Sequence, residues 1–152
     1  MKFLFISSLT LNYPQGIHVD LSLNLYVADT ENSRVQKFAF QQLNGTTIGI
    51  SLNRPSAVFV DADGYLFISD CFNHRIIGSG PYEFRYIAAC SGLGIGSTQL
   101  NYPTGISFDN YGNLFVMDSL NNRLQKFNLK NNTYGKIELL LIFLLKFHHN
   151  FR

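Results

Sequence analysis

Apolar residues fall in short runs along the chain, rich in β-branched and aromatic side chains and bounded by Gly, Asn, Asp or Pro. Runs of this kind predict β-strands, and no segment keeps a helical period. Three of them read Leu25-Tyr-Val-Ala-Asp29, Leu66-Phe-Ile-Ser-Asp70 and Leu114-Phe-Val-Met-Asp118. Leu-Phe-Ile and Leu-Phe-Val are apolar without interruption, whereas a sheet with one wet face would alternate apolar and polar residues. The pattern predicts sheets covered on both faces, as when several are stacked radially.

Those runs belong to a unit that occurs three times. Leu11-Asn-Tyr-Pro-Gln-Gly-Ile-His-Val-Asp20 is followed by Leu52-Asn-Arg-Pro-Ser-Ala-Val-Phe-Val-Asp61 and Leu100-Asn-Tyr-Pro-Thr-Gly-Ile-Ser-Phe-Asp109. The prolines at 14, 55 and 103 set periods of 41 and 48 residues. Farther along each copy, Asn32-Ser-Arg34 matches Asn73-His-Arg75 and Asn121-Asn-Arg123. Each proline precedes a first strand, where a missing N–H costs least. Asp63-Gly64 and Tyr111-Gly112 supply the positive φ of a hairpin between first and second strands. The first copy has Ser22-Leu23 there, so a different turn is expected. Third strands begin near Arg34, Arg75 and Arg123, and the fourth-strand candidates are Thr47–Ser51, Phe84–Ala89 and Thr133–Leu139. Four strands in a unit of this length is the size of a propeller blade.

The Pro-x-Gly-Ile start, the Leu-Tyr/Phe-Val-x-Asp strand and the Asp-x-x-Asn-x-Arg turn resemble the NHL repeat family, from Leu11 to about Phe127. The resemblance implies a six-bladed β-propeller in which each repeat contributes one blade. With three repeats, the expected fold is all-β: a partial β-propeller of three four-stranded antiparallel blades, about half of a six-bladed ring. The partition is 1–10 as a leading strand or vestigial signal-like segment, then blades at 11–51, 52–99 and 100–136. Residues 137–152 remain as an apolar tail. In that tail Leu139 to Leu145 is far shorter than the roughly 20 residues of a membrane span, so it is read as a buried element or an exposed apolar patch. His148 and His149 have no nearby acid or cysteine and are read as solvated.

Composition agrees with blades apolar on both sides. In 152 residues, 46% are hydrophobic and only 14% charged, which excludes disorder. The net charge of +2 comes from bases scattered outside the repeated positions, with none of the clustering that nucleic-acid binding needs.

Repetition also separates scaffold from site, because an active site normally occurs once. Asp29, Asn32 and Arg34, with Asp70, Asn73, Arg75 and Asp118, Asn121, Arg123, are therefore read as structural turns. The Asp and Asn would accept backbone N–H groups there, and the Arg would return to the carboxylate as a bidentate pair. Gly92-Leu-Gly94-Ile-Gly96-Ser97 precedes another strand, so it is a connection and not a phosphate loop. Asp61-Ala-Asp63-Gly64 lacks the later ligands of a calcium loop. His18 and His74, unmatched in the other copies, are weak metal candidates. Cys71 and Cys90 sit two strand spacings apart, wider than a disulfide favours. Asn44 and Asn131 begin glycosylation patterns that matter only in a secreted chain.

These readings favour a non-catalytic module that binds a protein partner through loops at the rim of the central channel, with no cofactor. Ubiquitin-ligase activity, found in some larger family members, does not carry over, since nothing here matches their zinc-binding domains. The alternatives are a metal-dependent propeller lyase or lactonase, and a gene fragment without independent function. An open blade face of ~500 Å² leaves roughly 12 kcal/mol of burial unrealised. That rivals the net stability of a domain, and a homodimer completing the ring would recover it.

Overall fold

The computed structural model describes residues 11–48, 50–79, 84–88, 92–131 and 137–145, with 129–131 and 137–145 by backbone alone. The leading segment 1–10 and the terminal histidines lie outside these residues. The first sheet contains β1 (Pro14–Val19), β2 (Leu25–Asp29), β3 (Arg34–Phe38) and β4 (Thr46–Ile48). The second contains β5 (Pro55–Val60), β6 (Leu66–Asp70), β7 (Arg75–Ser79) and β8 (Phe84–Ala88), and the third β9 (Pro103–Phe108), β10 (Asn113–Asp118), β11 (Arg123–Asn131) and β12 (Ile137–Leu145). In each sheet the strands lie in chain order and pair antiparallel. No helix among the described residues is long and apolar enough to cross a membrane.

Pro14, Pro55 and Pro103 are the first strand residues, each followed by the same break in register. The residue before each, Tyr13, Arg54 or Tyr102, is left-handed with φ of 48°, 48° and 51°. A one-turn 3-10 helix joins second to third strands in every blade, at Thr30–Asn32, Cys71–Asn73 and Ser119–Asn121.

The hairpin of the first blade corrects the expectation of a different turn. Leu23 takes φ 62° and donates its N–H to the Asp20 carbonyl at 2.9 Å, as Gly64 does to Asp61 and Gly112 to Asp109. The reason is the aspartate: Asp20 Oδ1 accepts the N–H groups of Ser22 and Asn24, both at 2.9 Å. That Asx turn holds the loop without glycine, at a cost of about 1–2 kcal/mol for a left-handed leucine.

The core lies between sheets. Tyr26, Ala28 and Val35 of the first blade meet Val58, Val60, Leu66 and Ile68 of the second. Phe67, Ile76 and Ile87 from the other face of the second blade meet Leu114, Val116 and Phe127 of the third. Strand β6 is buried at all five positions, as its unbroken apolar run implies. β1 packs along β5, and β5 along β9. At Gly16 a Cβ would stand 2.7 Å from both Ala57 Cα and the Ser56 carbonyl oxygen.

The outermost strands depart most from the sequence pattern. β4 is only three residues long. β12 begins at Ile137, while positions 133–136 of the Thr133–Leu139 candidate lie outside the described residues. Ile137–Leu145, set apart by sequence as a tail, pairs along β11 from Ile137 opposite Asn131 to Leu145 opposite Leu124.

Candidate functional site

The repeated Asp-x-x-Asn-x-Arg unit forms the same knot in each blade. Asp29, Asp70 and Asp118 are wholly excluded from solvent. Their Oδ2 atoms accept the Nε–H of Arg34, Arg75 and Arg123 at 2.7, 2.6 and 2.6 Å. The amides of Asn32, Asn73 and Asn121 donate to the same oxygens. Each Oδ1 accepts a backbone N–H from 17 residues upstream, at Asn12, Asn53 and Asn101. This corrects the expected turn cap: no side chain caps the following 3-10 turn, and the arginine reaches Oδ2 through Nε. The carboxylate is turned toward the segment ahead of the first strand, which has its own N–H group to satisfy.

Arg123 extends its knot. Its terminal nitrogens donate to the carbonyls of Ile95, Gly96 and Gln99 at 2.7 to 2.9 Å. The glycine-rich segment thus presents carbonyl oxygens to a cation and leads to β9, the opposite of a phosphate cradle.

The other sequence candidates are dispersed. His74 Nδ1 accepts the Tyr102 N–H at 3.2 Å, so it serves the junction with the next blade. His18 packs on Phe59, ring centroids 4.7 Å apart. No group of three or more His, Cys, Asp or Glu side chains able to hold a metal occurs among the described residues. Cys71 is buried as a free thiol, pushed up in pKa by that burial. Its disulfide candidate Cys90 lies outside the described residues. Asn44 is exposed between β3 and β4, and Asn131 ends β11, where the backbone alone is described.

A cleft of about 640 Å³ opens where β1, β5 and β9 end and their hairpins begin. Its floor is an aromatic ladder: His18 on Phe59, Phe59 on Phe108 at 4.9 Å and Phe108 on Phe67 at 4.6 Å. Asp20, Asp61, Asp63 and Asp109 stand around the mouth with Tyr65 and Tyr111.

The three hairpin aspartates differ. Asp20 Oδ2 accepts the Asn24 amide at 2.9 Å and the Tyr26 hydroxyl at 3.1 Å. Asp109 Oδ2 accepts the Asn113 amide at 2.7 Å and faces Lys126 Nζ at 3.6 Å. In the second blade every such donor is replaced, with Tyr65 for the Asn, Phe67 for Tyr26 and Gly78 for the Lys. Asp61 is left with backbone N–H groups and no side-chain donor among the described residues, Asp63 and Tyr65 donating to Oδ1 at 3.0 and 2.8 Å. Its Oδ2 has no hydrogen-bond partner among the described residues.

Titration follows these surroundings. Burial pushes the Asp61 carboxyl above its ordinary value, outweighing the backbone N–H groups of Tyr65, Asp63 and Gly64, and the Asp63 charge adds to the rise. For Asp20, burial also pushes upward, but bonds from Asn24, Tyr26 and Ser22 together hold it low. Asp109 is held low by the Asn113 amide first, with the Lys126 charge assisting. Sequence alone placed Asp61 in a hairpin turn that lacks calcium ligands and did not single it out as a site residue. The signal was present in the three residues that break the repeat.

Residues 11–38 match the NHL repeat model. No curated protein sequence matches the chain. Solved structures do. A nidogen from a nidogen/laminin complex aligns with TM-score 0.62 at 20% identity, over 86% of this chain and 49% of that one. A streptogramin B lyase gives 0.60 at 17% identity, over 85% and 40%. The periplasmic gluconolactonase PpgL of Pseudomonas aeruginosa gives 0.59 at 14% identity, over 88% and 39%. The chain therefore spans less than half the length of each. With an NHL repeat matched in the first blade and the same four-stranded sheet formed three times, the chain carries an NHL repeat and is built as three β-propeller blades.

Proposed function

We propose that the chain is a non-catalytic interaction module whose hairpin-side rim binds a protein partner through a basic side chain. The observation that carries this reading is Asp61: a desolvated carboxylate with a free oxygen, beside exposed Asp63, over an aromatic floor. A lysine or arginine entering the cleft would neutralise that charge and lay its stem on the rings. Phosphate groups of nucleic acid would meet carboxylates instead. The Asp–Asn–Arg knots serve the scaffold, since all three blades carry them. The nidogen/laminin-complex, lyase and gluconolactonase neighbours all share the fold at 20% identity or less, and that likeness carries fold alone.

Isothermal titration with a short Arg/Lys peptide, against its Glu counterpart, tests the reading. The basic peptide binds and the acidic one does not, and Asp61→Asn weakens binding by about tenfold, the effect of one charge-assisted contact. Equal response to both peptides, or binding untouched by Asp61→Asn, overturns it.

A further inference from the structure

We propose that Asn44 is a site of spontaneous deamidation by water, and that the product loosens β4, the outer strand of the first blade. Asn44 is exposed in the connection between β3 and β4, and Gly45 follows it. Packing demands glycine there: a Cβ would stand 2.9 Å from two atoms of the Phe38 ring, which is buried. The fold therefore sets beside an exposed side-chain amide the one residue type whose backbone nitrogen no side chain shields.

The backbone nitrogen that follows Asn44 is also unengaged. After Asn32, Asn53, Asn73, Asn101, Asn110 and Asn121, the next N–H is hydrogen-bonded at 2.9 to 3.4 Å. Ser33, His74 and Asn122 donate to the first carbonyl of their 3-10 turn. Arg54 and Tyr102 donate to side chains of the preceding blade, and Tyr111 donates to Asp109. The Gly45 N–H and the Asn44 side chain have no hydrogen-bond partner among the described residues. An N–H held by an acceptor keeps its proton, whereas an open one is free to lose it and attack.

The Gly45 nitrogen attacks Cγ of Asn44, a C–N bond forms, and the side-chain nitrogen leaves with the proton as ammonia, closing a cyclic imide. Water then adds to one imide carbonyl and breaks its bond to nitrogen. Opening at Cγ gives aspartate; opening at the main-chain carbonyl gives isoaspartate, in which the chain runs through the former side chain. One water is consumed and one ammonia released, with nothing oxidised or reduced. Both products add a negative charge, and isoaspartate lengthens the chain by one carbon just ahead of β4. That strand is three residues long, pairing Thr46 with Lys37, Thr47 with Gln36 and Ile48 with Val35. So short a strand depends for its register on where the connection delivers it. Ile48 packs on the core between the first two blades, so a loosened β4 uncovers the edge of that core. The nitrogen lost is the one a glycan would occupy in the Asn44-Gly-Thr46 pattern, so the two modifications exclude each other.

Incubation of the unglycosylated full chain at mildly alkaline pH, followed by peptide mass spectrometry, tests the site. Asn44 is expected to lose its amide first, with isoaspartate among the products, while the six asparagines named above keep theirs. In mild acid, where the Gly45 nitrogen holds its proton, Asn44 keeps its amide too. Hydrogen exchange at Thr46, Thr47 and Ile48 quickens in the aged chain and not in aged Asn44→Gln, whose longer side chain closes the ring far more slowly. Loss at any of those six before Asn44, no loss at Asn44, or a product without isoaspartate overturns the site. Exchange unchanged by ageing overturns the loosening of β4.

Discussion

Arg123 places its Nε 2.6 Å from Oδ2 of Asp118, with the arginine side chain 6% exposed and the carboxylate wholly buried. The equivalent Arg34 is 30% exposed over Asp29 at 2.7 Å. Removing one partner of a buried pair leaves an uncompensated charge, which costs about 3–5 kcal/mol. Arg123→Ala also frees three carbonyls of the segment ahead of β9. Thermal unfolding is expected to show Arg123→Ala as the more damaging substitution and Arg34→Ala as the milder. Equal midpoints for the two variants and the wild type would refute a structural role for the knots.

Gly16 should be irreplaceable for a steric reason. A methyl group there meets backbone of the second blade at 2.7 Å, and backbone cannot rotate away. Gly16→Ala is expected to destabilise by about 1–3 kcal/mol, as overpacking does. Chemical denaturation reads this directly, and an unchanged midpoint would mean that β1 and β5 do not approach so closely.

Leu23 predicts a gain. It stands left-handed and exposed where the other two blades use glycine. Leu23→Gly should stabilise by about 1 kcal/mol, the relieved strain less the added freedom of the unfolded chain. A loss of stability would show that Leu23 packs against something its exposure does not reveal.

The hairpin aspartates should respond to pH with opposite signs. Asp61, raised in the fold, favours folding when protonated; its contribution is present below the ordinary value of 3.8 and lost as pH rises through the folded value. Asp20 and Asp109, held low, contribute above 3.8 and lose that contribution as pH falls through their folded values. At neutral pH, Asp61→Asn should raise the unfolding midpoint and Asp109→Asn should lower it, with both differences shrinking in acid. Midpoints moving in the same direction would contradict the assigned environments.

The blades were legible because the repeat writes each strand three times, and a run such as Leu66-Phe-Ile shows from composition alone that both faces are covered. The outer strands were not. β4 and β12 are edges whose extent is set by pairing with β3 and β11, and three residues beginning at Thr46 carry no pattern of their own. The knot was half legible: a buried Asp near an Arg was readable, but a bond to Asn12 across 17 residues belongs to no local turn. Asp61 was hidden differently. Its isolation depends on Tyr65, Phe67 and Gly78 all being unlike their counterparts, and those residues matter only once Asp109 is seen between Asn113 and Lys126.

Amide chemical-shift mapping during titration with the Arg/Lys peptide tests the account most directly. The account predicts shifts confined to the hairpin-side rim, at His18, Asp61, Asp63, Tyr65 and Tyr111, and their loss in Asp61→Asn. Shifts centred on the 3-10 turns at the opposite strand ends, or none at all, would contradict it.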